Sequence, residues 1–189
     1  MSRTRTKEEE RKVVSEGKQL LNELHSSAEM STKNRVTLVV FSGDMDRVLA
    51  AFNLATTAVA MGMEVTMFFT FWGLNVLKRK HASRSGKGIM RRMLNFMNNG
   101  TADHLPLSRL NMFGLGPWMM KKLMKESRVP SVEEMMKSAR ESGVKMIACS
   151  TSIGLMGLTK NDLISDIDGI AGAATYLGAA NEGNVNLFI

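Results

Sequence analysis

The run Val36-Thr37-Leu38-Val39-Val40-Phe41 is short, almost continuously apolar and bounded by Arg35 and Ser42. Such a run reads as a strand buried on both faces, the situation of a strand inside a parallel sheet. The next thirty residues narrow the fold further. Asp44 stands where it can cap a helix in which Leu49, Phe52, Thr56 and Val59 return to one face at steps of three and four. Gly62 sits where that helix would end. Met63-Glu64-Val65-Thr66-Met67-Phe68-Phe69-Thr70 then reads as a strand. Strand, helix 45–61 and strand 63–70 form a β-α-β unit, which is right-handed by rule and brings both strand carboxyl ends to one edge.

The same stretch imitates a membrane span, because Glu64 is the only charged residue between Arg47 and Lys78. Roughly 20 apolar residues can cross a bilayer. A charge in mid-span is costly, however, and the helix–glycine–strand grammar explains the hydropathy without a membrane. No transmembrane span is expected.

Further along, Pro117 fits the first position of a helix running through Met119, Met120, Leu123 and Met124. Gly114-Leu115-Gly116 follows no strand and has no third glycine at the dinucleotide-loop offset, so it reads as a helix break. Asn98-Asn99-Gly100 reads as a turn. Ser131-Val132-Glu133-Glu134 is a capping box, and Gly143 ends the helix it opens. Val144 to Cys149 is another buried strand, and Thr159 to Asp162 opens a short helix. Gly169 to Gly172 is a brief strand, Ala173 to Ala180 a small-residue helix, and Val185 to Ile189 a last strand. Strands alternating with helices define an α/β class with a mostly parallel sheet of about five strands. Residues 1–33, polar and charge-rich, form an N-terminal helical extension to a single domain over 34–189.

At 189 residues and 44% hydrophobic content the chain can bury a sizeable core. Its net charge of +7 raises the question of nucleic acid, but much of the excess is clustered between Lys78 and Arg92, where no aromatic is interleaved. Nucleic acid is therefore not the expected partner. His25, His81 and His104 lack ligand spacing, and no metal or other cofactor is expected. The N-terminus has no apolar core of the signal-peptide kind, and the single cysteine suits a reducing, cytoplasmic compartment.

That cysteine, Cys149, ends its strand at the edge where open parallel sheets collect ligands and reactive groups. Backbone N–H groups in a turn or helix start after the strand stabilise a thiolate. Ser150 and Ser152 come directly after it. Ser42, Gly43 and Asp44 after the first strand, and Trp72 and Gly73 after the second, reach the same edge and are candidate binding residues. Each has a bland reading beside the functional one. Free cysteine is among the most buried residue types, Asp44 reads first as a helix cap, and Trp72 reads first as packing.

Several segments together carry a resemblance. Val39 to Asp46, Ala60 to Val65, Phe68 to Leu74, Leu107 to Met112, Ile147 to Ser150, Ala174 to Gly178 and Asn184 to Ile189 resemble, in that order, the longer branch of the DsrE/DsrF-like family. The resemblance covers about residues 35–189. It implies a flavodoxin-like or DsrE-type sheet and a role in sulfur relay, in which members hold sulfur as a cysteine persulfide. It further implies exchange with TusA-type carriers and rhodanese-like proteins, assembly as homo-oligomers and, for some members, a peroxiredoxin-like label. Cys149 matches the family's cysteine. The chain departs just beyond it. Where relatives often read Ser-Met-Asp before Met-Gly, Ser152-Ile153-Gly154-Leu155-Met156-Gly157 has no acidic side chain.

The leading expectation is a sulfurtransferase-like persulfide carrier. Without a second cysteine no internal thiol can discharge the persulfide, which fits a relay between proteins. The alternatives are a one-Cys peroxidase-like protein and a non-catalytic module binding a small anion or nucleotide, with Cys149 incidental.

Overall fold

The computed structural model describes residues 12, 15–23, 34–80 and 100–189. Residues 15–23 are helical. The rest of the 1–33 extension, most of the basic stretch 78–92, His25, His81 and the first two residues of the Asn98-Asn99-Gly100 turn lie outside the described residues.

Strand β1 (Arg35–Val40) leads through helix α1 (Met45–Ala60) to β2 (Glu64–Phe69). A 3-10 segment (Phe71–Leu77) comes next. A 3-10 turn (Met112–Gly114) precedes α2 (Leu115–Glu126), and α3 (Val132–Glu141) feeds β3 (Lys145–Cys149). Helix α4 (Ser150–Met156), β4 (Gly169–Ala171), α5 (Ala173–Asn181) and β5 (Val185–Phe188) complete the chain. The five strands stand in the order β4-β3-β2-β1-β5 and every neighbouring pair is parallel. This is the α/β class with the parallel five-stranded sheet that the apolar runs predicted.

Strand alternation sorts the side chains between two faces. Val36, Leu38, Val40, Val65, Met67, Phe69, Met146 and Ala148 meet Val48, Phe52 and Ala55 of α1 in the main core, with α3 packed on α1. The alternate residues Thr37, Val39, Phe68 and Cys149 are buried but stand outside that core. Of these, Thr37 and Phe68 meet α5, where Tyr176 stacks 5.5 Å from Phe68. Cys149 is therefore not packing in the main core.

Local signals decide most boundaries. The Ser131–Glu134 capping box is present in full, and Gly62 and Gly143 take the left-handed φ (79° and 89°) that ends a helix without a Cβ penalty. Three expectations are corrected. Helix α2 begins at Leu115, so Pro117 stands third, still within the first turn, whose N–H groups have no intrahelical acceptor. The buried stripe of α1 runs through Met45, Val48, Ala51, Phe52, Ala55 and Ala58, while Leu49 and Val59 only flank it. Small alanines decide this, because they let the helix approach the sheet closely. The short helix after Thr159 is a single 3-10 turn, Lys160–Asp162, closed by the hydrogen bonds of Thr159 to Asp162. No helix among the described residues is long and apolar enough to cross a membrane.

Candidate functional site

The parallel register brings Thr70 beside Cys149. Phe69 pairs with Ala148, and Thr70 and Cys149 are the next residue on each strand. On the other side Cys149 pairs with Ala171. The chain turns at once after both strands. Phe71 adopts a left-handed backbone (φ 46°) to enter the 3-10 segment, and Ser150 opens α4. The thiol thus lies between a turn and a helix start, and the residue keeps only 6% of its surface exposed.

The polar groups that act on the thiol are the Ser152 N–H and hydroxyl, the Thr70 hydroxyl and the Thr151 N–H. Burial pushes the thiol up, but these groups outweigh it and hold Cys149 below the ordinary thiol value. The Thr70 and Ser152 oxygens are 2.8 Å apart. Each hydroxyl has one proton, so Thr70 can donate to Ser152 while Ser152 donates to the sulfur, or both can turn to a charged sulfur. Ser152 is a predicted site residue that the fold brings to the thiol. Ser150 stays exposed beside Gly172. Sequence reasoning misses Thr70 and the Thr151 N–H. The available signal is a hydroxyl ending the β2 apolar run at the same sheet edge.

The other predicted residues gather elsewhere. Ser42, Gly43, Asp44 and Trp72 line an open cleft of about 890 Å³ together with His104 and Trp118. It lies at the β1–β2 end of the edge, and β1 and β3 are two strand spacings, about 10 Å, apart. Asp44 occupies the N-cap position of α1 with extended backbone, yet its carboxylate makes no cap hydrogen bond. It instead accepts from the buried Ser42 hydroxyl at 2.8 Å, Ser42 Oγ accepts in turn from the Asp44 N–H, and Arg47 stands 3.7 Å from the carboxylate. The expected cap is therefore corrected to a Ser42–Asp44–Arg47 cluster. Trp72 is 41% exposed as a wall of the cleft. Gly73 is buried and structural in its contacts. Its N–H donates to Phe41 O and Thr70 O, and a Cβ there would fall on the carbonyl of Val40.

Asp46 accepts the Ser108 N–H at 3.0 Å and the Ser108 hydroxyl at 2.5 Å, tying the 107–109 segment to the start of α1. Burial raises the Asp46 carboxyl, and the Ser108 hydrogen bonds more than offset it, leaving it below its usual range. No group of three or more metal-ligating side chains occurs among the described residues.

Comparison with known proteins supplies context for this arrangement. The model of the DsrE/DsrF/DrsH-like family matches residues 32–188. The uncharacterized protein YrkE of Bacillus subtilis (strain 168) is 43% identical over 155 residues, covering 82% of this chain and 96% of that protein. The sulfur carrier protein DsrE2 of Allochromatium vinosum is 34% identical over 163 residues, covering 83% of this chain and 99% of its own. Among solved structures, MTH1491 from Methanobacterium thermoautotrophicum, a protein of unknown function, shares the fold with a TM-score of 0.50 at 14% identity. That match covers 83% of this chain and all of that one.

Proposed function

The chain belongs to the DsrE/DsrF/DrsH-like family, and from that premise we propose that it is a sulfur-relay protein whose Cys149 carries sulfane sulfur as a persulfide. The observation that carries this reading is the place of the thiol at the end of β3, beside Thr70 and at the start of α4. The polar groups of Ser152, Thr70 and Thr151 there favour the thiolate, which is the nucleophile in sulfur exchange.

The step balances without an oxidant. The Cys149 thiolate attacks the outer sulfur of a donor persulfide and forms the new S–S bond. The donor's own S–S bond breaks, and its electron pair leaves with the donor thiolate. In the second half an acceptor thiolate attacks the outer sulfur of the Cys149 persulfide, and Cys149 leaves as thiolate, again stabilised by Ser152 and Thr70. The donors that favour the thiolate as nucleophile also favour it as leaving group. The protein acts in this sense as a sulfurtransferase-like carrier, in the cytoplasm and as a homo-oligomer, exchanging sulfur with a TusA-type carrier or a rhodanese-like protein. Ser42, Gly43, Asp44 and Trp72 serve as the neighbouring docking cleft.

Intact-mass measurement after exposure to glutathione persulfide tests it. Wild type gains one sulfur atom that a small acceptor thiol removes, and Cys149→Ser gains none. A native, folded wild type that gains no sulfur refutes the carrier reading and leaves the cleft as a binding site for an anion or nucleotide.

A further inference from the structure

Helix α2 and the turn before it expose apolar surface that extends outward from Trp118 at the rim of the cleft. Only Gly116 and Met124 of the helix are buried, with Met120 partly packed on the core. Leu110, Met112, Phe113, Leu115, Trp118, Met119 and Leu123 are all at least half exposed, and Phe113 is 111% exposed, more open than in an extended chain. The turn reaches this state through three non-glycine residues in the left-handed region, Leu110 (φ 58°), Met112 (φ 38°) and Phe113 (φ 54°). Such conformations are uncommon for bulky residues. Here the backbone holds large apolar side chains in solvent instead of folding them inward.

Charge defines what such a surface fits. From Arg109 to Arg128 the chain carries Arg109, Lys121, Lys122, Lys125 and Arg128 against the single acid Glu126. All five cations are exposed. Lys122 lies over the Trp118 ring at 5.9 Å, so cations and apolar side chains are interleaved on one surface. A helix with exposed Trp and Leu interleaved with lysines, preceded by a projecting Phe, suits an element lying in a lipid headgroup layer. An acidic protein surface would also answer the charge. A projecting tip such as Phe113, however, needs a matching pocket on a protein, whereas a bilayer accommodates a protruding side chain of any shape.

We propose that the 110–123 surface is a peripheral membrane-binding element that seats the protein on anionic lipid, with Phe113 and Trp118 as inserted anchors and Lys122, Lys125 and Arg128 facing the headgroups. No helix among the described residues can span a bilayer, so the attachment is interfacial.

Co-sedimentation of the full chain with vesicles of phosphatidylcholine and phosphatidylglycerol in equal parts, against phosphatidylcholine alone, tests this. Binding to the anionic vesicles is expected, weakened at least tenfold on neutral vesicles and in high salt. Lys122→Glu with Lys125→Glu is expected to lower partitioning about a hundredfold, since each juxtamembrane cation contributes on the order of one kcal/mol. Phe113→Asn keeps a residue that tolerates the left-handed backbone and is expected to weaken binding about tenfold with an unchanged circular dichroism spectrum. Cys149→Ser is expected to bind vesicles like wild type, which separates this surface from the relay reading. No binding to anionic vesicles overturns the proposal. So does equal binding to neutral ones, or self-association or capture of an acidic protein through this face without any vesicle binding.

Discussion

The hydroxyls of Thr70 and Ser152 lie 2.8 Å apart, one at the end of β2 and the other in the first turn of α4, and both act to hold the Cys149 thiol down. Removing either hydroxyl withdraws a donor from the thiolate without opening the main core. Thr70→Val and Ser152→Ala are each expected to move the pH midpoint of Cys149 alkylation upward, toward that of a free thiol, and the double variant further. The rate of sulfur uptake at neutral pH should fall about tenfold, the scale of one hydrogen bond to a charged group. Alkylation rates across pH on folded protein check this, and unchanged midpoints refute it.

Burial of the thiol sets its selectivity. With the residue only 6% exposed, a small thiosulfonate reagent is expected to label native Cys149 at least about tenfold faster than a bulky aromatic disulfide. Denatured chains, where exposure no longer discriminates, should show little difference. Parallel labelling time courses measure it.

The clamp between Asp46 and Ser108 contributes to stability through hydrogen bonds to a charged group. Asp46→Ala is expected to cost about 1–3 kcal/mol in urea denaturation. Because the native carboxyl sits below its ordinary value of 3.8, its contribution is fully present above that pH and lost as pH falls through the native value. Asp46→Asn should flatten this part of the acid limb.

Lys78 is 7% exposed, and burial pushes its ammonium down to about 8 against the pull of the Asp162 charge. The unfolded chain holds that proton up to the ordinary value of 10.5. Between those values the unfolded state binds more protons, so stability should rise with pH across the window, by about 3 kcal/mol in total from this group. Lys78→Met should abolish the rise, as denaturant midpoints at the two ends of the window would reveal.

Gly73 sits under the Val40 carbonyl, where a Cβ would force the backbone to move. Gly73→Ala is expected to lose about 1–3 kcal/mol. It should also slow Cys149 labelling or sulfur uptake, because the Gly73 N–H is bonded to Thr70 O. Denaturation curves and labelling rates on the same sample separate the two effects.

The residues legible in the sequence are those whose physics is local. The Ser131 hydroxyl accepts from the Glu134 N–H, three residues on, and Gly62 ends α1 by its own φ. The β1 run from Val36 to Val40 and the β3 run ending at Cys149 carry the apolar density of buried parallel strands. The same locality explains the misplaced details. Asp44 has the right position for a cap, but Ser42 and Arg47 compete for its carboxylate. The large side chains Leu49 and Val59 point to one edge of α1, whereas packing on the sheet favours the small Ala51, Ala55 and Ala58.

The sequence by itself determined that this chain alternates strand and helix, and that its one cysteine ends a strand at the carboxyl edge of the sheet. Apolar runs, caps and glycines act over a few residues, so they are readable in order. Only the tertiary structure decided what stands beside Cys149. Strand register joins residues far apart in the chain, and it placed Thr70 at the sulfur while leaving Ser42, Asp44 and Trp72 in a separate cleft. It likewise left the apolar side of α2 facing outward, because a helix pattern specifies which residues share a face but not what that face meets.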